Sequence, residues 1–324
     1  FPVIAGPTAG GKSDLAVAVA LALRDRHNLA AEIVTADSMQ VYRGLDIGSA
    51  KPTPEERRGI PHHLIDVADP ADPAPFTVDR WLTLAEAAIA DIRSRGGTPI
   101  VVGGTHLYIK ALLEGLFEGP PADPALRAEL AAMDPAQRRA LLEQVDPAAA
   151  ARIHPNDARR TIRALEVHRL TGRPISELQR QWDTGRVRPD CFLVGLEWPP
   201  DLLARRINAR VRAMMDRGLL EETRALWESG RLMPGRGGAS EALGYKQLLA
   251  YFQGPQTPAR LEEAVEEIKI ETRRFAKNQR TWLRRLRATP GSIWIRAEAT
   301  PLDQQAQLVI QHMFAPPPPP PTPA

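Results

Sequence analysis

Phe1-Pro2-Val3-Ile4-Ala5-Gly6-Pro7-Thr8-Ala9-Gly10-Gly11-Lys12-Ser13 opens the chain, and its reading decides the fold. Five mostly apolar residues suit a buried strand, a glycine-rich turn follows, and Lys12 to Arg26 reads as a charged amphipathic helix. Residues Gly6 to Ser13 fit G-x-x-x-x-G-K-[ST] with a strand before and a helix after, the context that pattern requires. Glycines let the backbone curl so that successive N–H groups point at phosphate oxygens. The helix N-terminus adds its positive dipole, Lys12 a point charge, and the Ser13 hydroxyl a candidate Mg²⁺ ligand. Gly6, Pro7, Thr8, Ala9, Gly10, Gly11, Lys12 and Ser13 are therefore assigned to a di- or triphosphate. The motif does not name the reaction. A kinase or ATPase would need a second strand ending in a metal-binding Asp; Asp66, after His63-Leu64-Ile65, is the one weak candidate.

Outward from the loop, strands alternate with helices. Glu32 to Ala36 ends in Asp37-Ser38, His63 to Val67 is a possible third strand, and Thr98 to Val102 ends in Gly103-Gly104-Thr105 before a helix from His106 to Leu116. Cys191 to Leu196 is a further strand. This alternation predicts an α/β protein with a P-loop NTPase-like parallel sheet, whose ligands bind beyond the carboxyl ends of the strands. The stretch 113–185 is rich in Ala, Arg and Leu, with helix starts at Asp123-Pro124, Asp134-Pro135, Asp146-Pro147 and Pro155-Asn156. It reads as a mostly helical insertion between the core segments 1–112 and 186–314. Residues 315–324 form a proline-rich tail, an untethered terminus in preference to an SH3-type ligand.

Composition bounds the rest. The 324 residues carry 42 Lys+Arg against 39 Asp+Glu, net +3, and are 43% hydrophobic, which excludes a wholly disordered chain. No apolar run reaches the roughly 20 residues of a membrane span, Phe1 to Gly6 do not resemble a signal peptide, and the absence of Met at the start is expected of a chain beginning inside its gene product. One cysteine, Cys191, permits neither an internal disulfide nor a multi-Cys zinc site, so a reducing, cytoplasmic setting is expected. The charge is uneven: Lys269 to Arg287 holds eight basic residues and one acid, Glu271, leaving the rest of the chain at −4.

Asp37 ends a strand expected beside the first, so its carboxylate should face the phosphate loop. It could bind Mg²⁺, accept a proton from a nucleophile, or simply cap a helix. Here the chain resembles the tRNA dimethylallyltransferase family. The resemblance rests on Gly6 to Ser13, Asp37-Ser38-Met39-Gln40-Val41-Tyr42, Asp46 to Pro52, and Gly103-Gly104-Thr105-His106-Leu107-Tyr108. Arg163-Ala164-Leu165-Glu166-Val167, Gly244-Tyr245-Lys246-Gln247 and Lys277-Asn278-Gln279-Arg280-Thr281-Trp282-Leu283 continue it, in the family's order over nearly the whole chain.

The resemblance implies transfer of a dimethylallyl group from dimethylallyl diphosphate, with Mg²⁺, to N6 of the adenine immediately 3′ of the anticodon of certain tRNAs. It implies Asp37 as the base, Thr105 and Thr8 lining the donor and target base, and Arg210 on the diphosphate. By the same likeness the tRNA anticodon stem-loop would meet Asp37, Ser38, Met39, Gln40, Thr105, Arg127, Arg159, Arg160, Thr161, Ile162, Arg163, Gly244, Tyr245 and Lys246. It would also meet Lys277, Asn278, Gln279, Arg280, Thr281, Trp282, Leu283 and Arg284. A monomer is expected.

Read as one helix, Leu261 to Arg287 places Leu261, Ala264, Val265, Ile268, Thr272, Phe275, Ala276, Trp282, Leu283 and Leu286 on an apolar face. Lys269, Arg273, Lys277, Arg280, Arg284 and Arg287 form a basic stripe, either a solvated face or a polyanion surface. His106 departs from the family's usual Gly and puts a side chain in the turn near the base pocket; His62-His63 lacks a third metal ligand. Three other readings stay open: an adenylate isopentenyltransferase acting on free AMP, ADP or ATP, a small-molecule P-loop kinase, and a non-catalytic RNA-binding protein.

Overall fold

A computed structural model describes residues 1–74, 76–117, 119–179 and 187–315. The proline-rich run from Pro316 and the stretch 180–186, where the sequence places the end of the insertion, lie outside the described residues. In chain order the elements begin β1 (Pro2–Ala5), α1 (Lys12–His27), β2 (Ala31–Ala36), α2 (Pro54–Arg57), β3 (His62–His63), α3 (Val78–Ser94), β4 (Thr98–Gly103) and α4 (His106–Glu114). Next come α5 (Pro124–Ala132), α6 (Pro135–Val145), α7 (Pro147–Arg152), α8 (Ala158–Thr171) and α9 (Ile175–Leu178). The chain then runs through β5 (Phe192–Glu197), α10 (Pro200–Asp216), α11 (Leu219–Glu228), α12 (Tyr245–Phe252), α13 (Pro258–Leu286), β6 (Ile293–Arg296) and α14 (Leu302–Phe314). Two compact units result: Phe1–Ala111 with Pro189–Ala324, and Leu112–Arg188.

In the larger unit the described strands form a parallel six-stranded sheet in the order β3-β2-β4-β1-β5-β6. With β4 between β1 and β2, their carboxyl ends lie on one edge, so the turns after Ala5, Ala36 and Gly103 are neighbours. Gly103 is required there: a Cβ would run into the Ala36 carbonyl of the adjacent strand. The first helix departs from its sequence reading. α1 is not amphipathic, because Leu15, Ala16, Val19, Ala20 and Leu23 are buried both on the sheet residues Ile4, Ile33 and Ile100 and on Val309 and Ile310 of α14. Its charges sit only at its ends, as suits a helix covered on two sides.

β3 stops after two residues, short of the strand expected to Val67, because Leu64 and Asp66 adopt left-handed backbone with φ 63° and 61°. The bend brings the Asp66 carboxylate within 2.5 Å of the Lys51 Nζ, which also donates to the Tyr42 carbonyl at 2.6 Å and bonds Asp46 at 2.7 Å. Asp66 is thus spent on fixing the loop after Asp37 and is not placed as a kinase-type metal ligand.

The smaller unit is a helical cluster around Leu130, Leu142, Ala164, Leu165 and Val167. Asp123, Asp134 and Asp146 cap its helices where the sequence places them, each accepting from backbone N–H groups of the first turn, with Pro at the start. The fourth start is later than expected: Asp157, not Asn156, caps α8. Glu166 is fully buried at the centre, accepting from Arg127 (2.8 and 2.9 Å), Arg163 (2.5 Å) and the Asp123 N–H (2.8 Å). Burial pushes this carboxyl up, but the two guanidiniums outweigh it and hold its pKa below the usual range. Among the described residues no helix is long and apolar enough to cross a membrane.

Candidate active site

The phosphate loop is open where an anion would enter. Ala9 (φ 58°) and Gly11 (φ 80°) take left-handed backbone, and no side chain caps the first turn of α1, leaving its N–H groups unclaimed by caps. Such a conformation at an alanine costs about 1 kcal/mol and is kept by contacts from far along the chain. The Trp198 indole N–H donates to the Gly10 carbonyl at 3.0 Å, and Arg206 Nε to the Ala9 carbonyl at 2.8 Å, while the Arg206 guanidinium lies 4.5 Å over the Trp198 ring. Lys12 folds back onto the Pro7 carbonyl at 2.7 Å. Burial and the Arg210 charge lower the Lys12 pKa to about 8, against the pull of Asp37. Lys12 is therefore cationic at neutral pH, in a place built for negative charge.

Asp37 caps and remains available at once. Its Oδ1 accepts from the Met39 N–H at 2.9 Å and the Gln40 N–H at 3.3 Å, which fixes the carboxylate in a tight turn. Oδ2 has no partner among the described residues. Thr105 Oγ1 accepts from the Ser38 N–H at 2.9 Å and donates to Ser38 Oγ at 3.2 Å, locking the second turn to the third. Arg210 of α10 comes within 3.5 Å of Thr8 Oγ1, and burial lowers its pKa against the attraction of Asp37.

These groups line one cavity of about 380 Å³. Thr8, Asp37, Ser38, Met39 and Thr105 form its floor, and Arg210 with Ile207, Val211 and Met214 forms a second wall. α13 contributes Ile268, Glu271, Thr272, Arg274, Phe275 and Asn278, and Glu241, Ala242, Leu243 and Gly244 add a further side. Phe275, expected in the apolar core face, is instead 42% exposed, because that turn of α13 faces the cavity and not a neighbouring element. The lining thus combines apolar side chains of α10 and α13 with charged ones of both signs, Asp37, Glu241 and Glu271 beside Arg210 and Arg274.

Gln279 closes the construction. This side chain is buried, accepts from the Thr8 N–H at 2.8 Å and donates to the Gly104 carbonyl at 2.9 Å, bridging the phosphate loop and the β4 turn. Tyr245 is fully buried too; its hydroxyl donates to Glu222 at 2.5 Å and accepts from the Gly48 N–H at 3.0 Å, while Glu222 also accepts from the N–H of Ile47 at 2.9 Å. Gly48 and Ser49 of that segment line the cavity. The side chains of Gln279, Tyr245, Thr161 and Leu283, assigned to RNA from the family likeness, are buried and face the protein interior. Arg127 and Arg163, assigned likewise, pair with Glu166 while their side chains stay 42% and 29% exposed. Lys269 drops out of the basic stripe: it is buried and paired with Glu266 at 2.5 Å.

Other assigned residues stay accessible. Arg159 is exposed without a partner among the described residues, Arg160 pairs at its own helix start with Asp157 at 3.3 Å, and Ile162 packs on the helical core. Lys246 is paired with Glu241 on the surface at 2.7 Å, Gly244 lines the cavity, and Thr281 and Trp282 sit on the outer side of α13 with Lys277 and Arg284. His106 is buried with Nε2 unpartnered, and burial with the nearby Lys12 charge lowers its pKa to about 4, so the ring is neutral. Trp198, Arg206, Glu222 and Phe275 were not assigned from the sequence; each acts on a loop or cavity distant in the chain, and no local pattern marks it.

No group of three or more His, Cys, Asp or Glu suited to a metal occurs among the described residues. The Ser13 hydroxyl is exposed and unpaired there, an oxygen donor beside a phosphate site, which fits Mg²⁺ completed by diphosphate oxygens.

The IPP transferase family model matches residues 40–286, and the isopentenyl transferase model residues 2–69. The tRNA dimethylallyltransferase of Anaeromyxobacter dehalogenans is 47% identical over 309 residues, 94% of this chain and 96% of its own. That of Geobacillus kaustophilus is 46% identical over 87% of this chain and 86% of its own. The crystal structure of the full-length tRNA isopentenylpyrophosphate transferase of Bacillus halodurans is similar with a TM-score of 0.67 at 36% identity, covering 96% of both chains. A eukaryotic dimethylallyltransferase caught acting on tRNA aligns with a TM-score of 0.78 at 30% identity, over 96% of this chain and 77% of its own. A loop, a carboxylate and a basic helix converging on one cavity, with this similarity along nearly the whole sequence, mean that the chain belongs to the IPP transferase family.

Proposed function

We propose that this protein transfers a dimethylallyl group from dimethylallyl diphosphate to N6 of an adenine immediately 3′ of the anticodon in tRNA. The observation that carries the reading is one cavity lined together by Thr8 and Ala9 of the phosphate loop, by Arg210 and by Asp37, with apolar side chains of α10 and α13 beside them. The relatives named tRNA dimethylallyltransferase support the substrate class.

The donor's diphosphate suits the α1 N-terminus, Lys12 and Arg210, which stabilise the negative charge that grows as the C1–O bond breaks and the electron pair leaves with the diphosphate. Mg²⁺ held by Ser13 and phosphate oxygens would supply further neutralisation of that leaving group. Ile207, Val211, Met214 and Phe275 enclose the allylic chain and keep water from the electron-poor carbon. N6 of adenine is a weak nucleophile, so its attack on C1 is helped when the N6 proton passes to Asp37 Oδ2. The adenine must leave the loop stack to reach that oxygen. Lys277 on α13 and Arg159 on α8 offer cations to the RNA backbone. One chain supplies every group in this account, consistent with a monomer acting in the cytoplasm, where tRNA is found.

Radiolabelled dimethylallyl diphosphate, offered with tRNA or with AMP, tests the reading. Label should enter tRNA, and Asp37→Ala should abolish transfer while tRNA binding persists. Label entering AMP alone would replace this function with that of an adenylate prenyltransferase.

A further inference from the structure

Strand order brings Trp198 to the phosphate loop. β5 runs parallel beside β1 with Gly195 opposite Ala5, so the chain leaving β5 passes the loop that leaves β1. The two segments lie close: a Cβ on Gly6 would come within 3.1 Å of Leu196 Cβ. Pro199, at φ −58° and ψ 137°, and Pro200 then fix the turn into α10. That exit leaves the Trp198 indole N–H 3.0 Å from the Gly10 carbonyl. Arg206 of α10 stacks on the same ring at 4.5 Å and donates to the Ala9 carbonyl at 2.8 Å, so the ring orientation is set as well as its hydrogen bond.

Two successive peptide units are held in this way, and they differ in what remains. In the first, the Ala9 carbonyl takes Arg206 and the Gly10 N–H is spent on the Pro7 carbonyl at 3.1 Å. In the second, the Gly10 carbonyl takes Trp198, and the Gly11 N–H has no acceptor among the described residues. That peptide is trans, so its N–H points away from the held carbonyl. It lies at the uncapped start of α1, where a phosphate would enter. Donation to a carbonyl polarises the amide and strengthens its N–H as a donor, and an anion on the N–H strengthens the carbonyl bond in return. On the reading above, which puts the donor's diphosphate in this loop, we propose that Trp198 is a positioning residue for that diphosphate. It acts through the Gly10–Gly11 peptide, turning and polarising the Gly11 N–H toward the anion.

Trp198→Phe keeps an aromatic face for Arg206 and removes the N–H. In the full chain it should raise the Kd for inorganic pyrophosphate with Mg²⁺, and the KM for dimethylallyl diphosphate, roughly threefold to tenfold, with kcat at saturating donor unmoved. Trp294→Phe, whose indole donates to the Ser292 hydroxyl and not to the loop, should change neither constant. The chain has six tryptophans, and the Trp198 indole N–H signal, assigned by NMR in the wild type, should move downfield on addition of pyrophosphate, further than the other five. Because that shift is read in the wild type, it decides the matter even where the variant folds poorly. A Trp198 signal that stays in place, or moves no more than the other five while pyrophosphate binds, overturns the proposal. So does a Trp198→Phe protein that melts earlier yet keeps both constants, or one that loses kcat with KM intact; in each case the reading of the loop stands. A wild type without affinity for pyrophosphate or dimethylallyl diphosphate overturns both.

Discussion

The phosphate loop and α13 meet in one cavity, yet they are built on opposite principles. The loop is eight consecutive residues whose character lies in the backbone, so its conformational demands show directly in glycines and one lysine. α13 is 29 residues long and distributes its work by face. Ala264, Ile268 and Leu283 are buried, Phe275 and Asn278 line the cavity, Gln279 reaches inward to the loop, and Lys277 points to solvent. A backbone site carries its signature in a short motif; a helix with four duties shows only a period.

Four experiments would break or sharpen that contrast, in order of expected effect. If the loop serves the donor alone, Lys12→Met should lower kcat/KM by about 1,000-fold while stem-loop affinity, read by anisotropy, stays put; a matching fall in RNA binding would erase the division. If α13 belongs to the donor site, Gln279→Ala should reduce donor affinity and turnover by roughly 10- to 100-fold, since it frees the half-buried Thr8 N–H and the buried Gly104 carbonyl. An effect confined to RNA binding would return Gln279 to the outer face.

The pH dependence probes the loop more gently. Free Lys12 has its pKa lowered to about 8, and a bound diphosphate favours its charged form. Donor affinity should therefore hold below pH 8 and fall above it, by up to about tenfold per pH unit, until the raised pKa of the complex is passed. The donor's own last phosphate ionisation, about 6, lies below this window. Titration calorimetry should show the fall in the wild type and a flat profile in Lys12→Met. Smallest of all, Lys277→Gln should weaken stem-loop binding roughly threefold to tenfold, lower the salt slope by about 1, and leave the donor constant unmoved.

Legibility followed the same contrast. The loop, the strand ends at Ala36 and Gly103 and the three Asp-Pro helix starts could be read because each is a local bargain between backbone and side chain. Asp37 was readable as a helix cap or as a free carboxylate; no helix follows it, and one of its oxygens instead holds the turn at Met39 and Gln40. The basic stripe could be read only as a period, which does not tell the buried Lys269 from the exposed Lys277. Trp198, Arg206 and Glu222 gave no signal, because their partners lie 176 to 197 residues away for Glu222 to Asp46 and Arg206 to Ala9, with Trp198 to Gly10 at 188.

The Gln279 bridge also has a consequence for synthesis. Its partners, Thr8 and Gly104, precede it by 271 and 175 residues. A ribosome releases the chain from its N-terminus at about 5–20 residues per second, so the loop and the β4 turn emerge well before the residue that joins them. Until then the nascent chain has its motif without a closed site. Chains interrupted before α13 should therefore carry the phosphate signature without the closed site, and completion of α13 marks the moment at which the bridge can form.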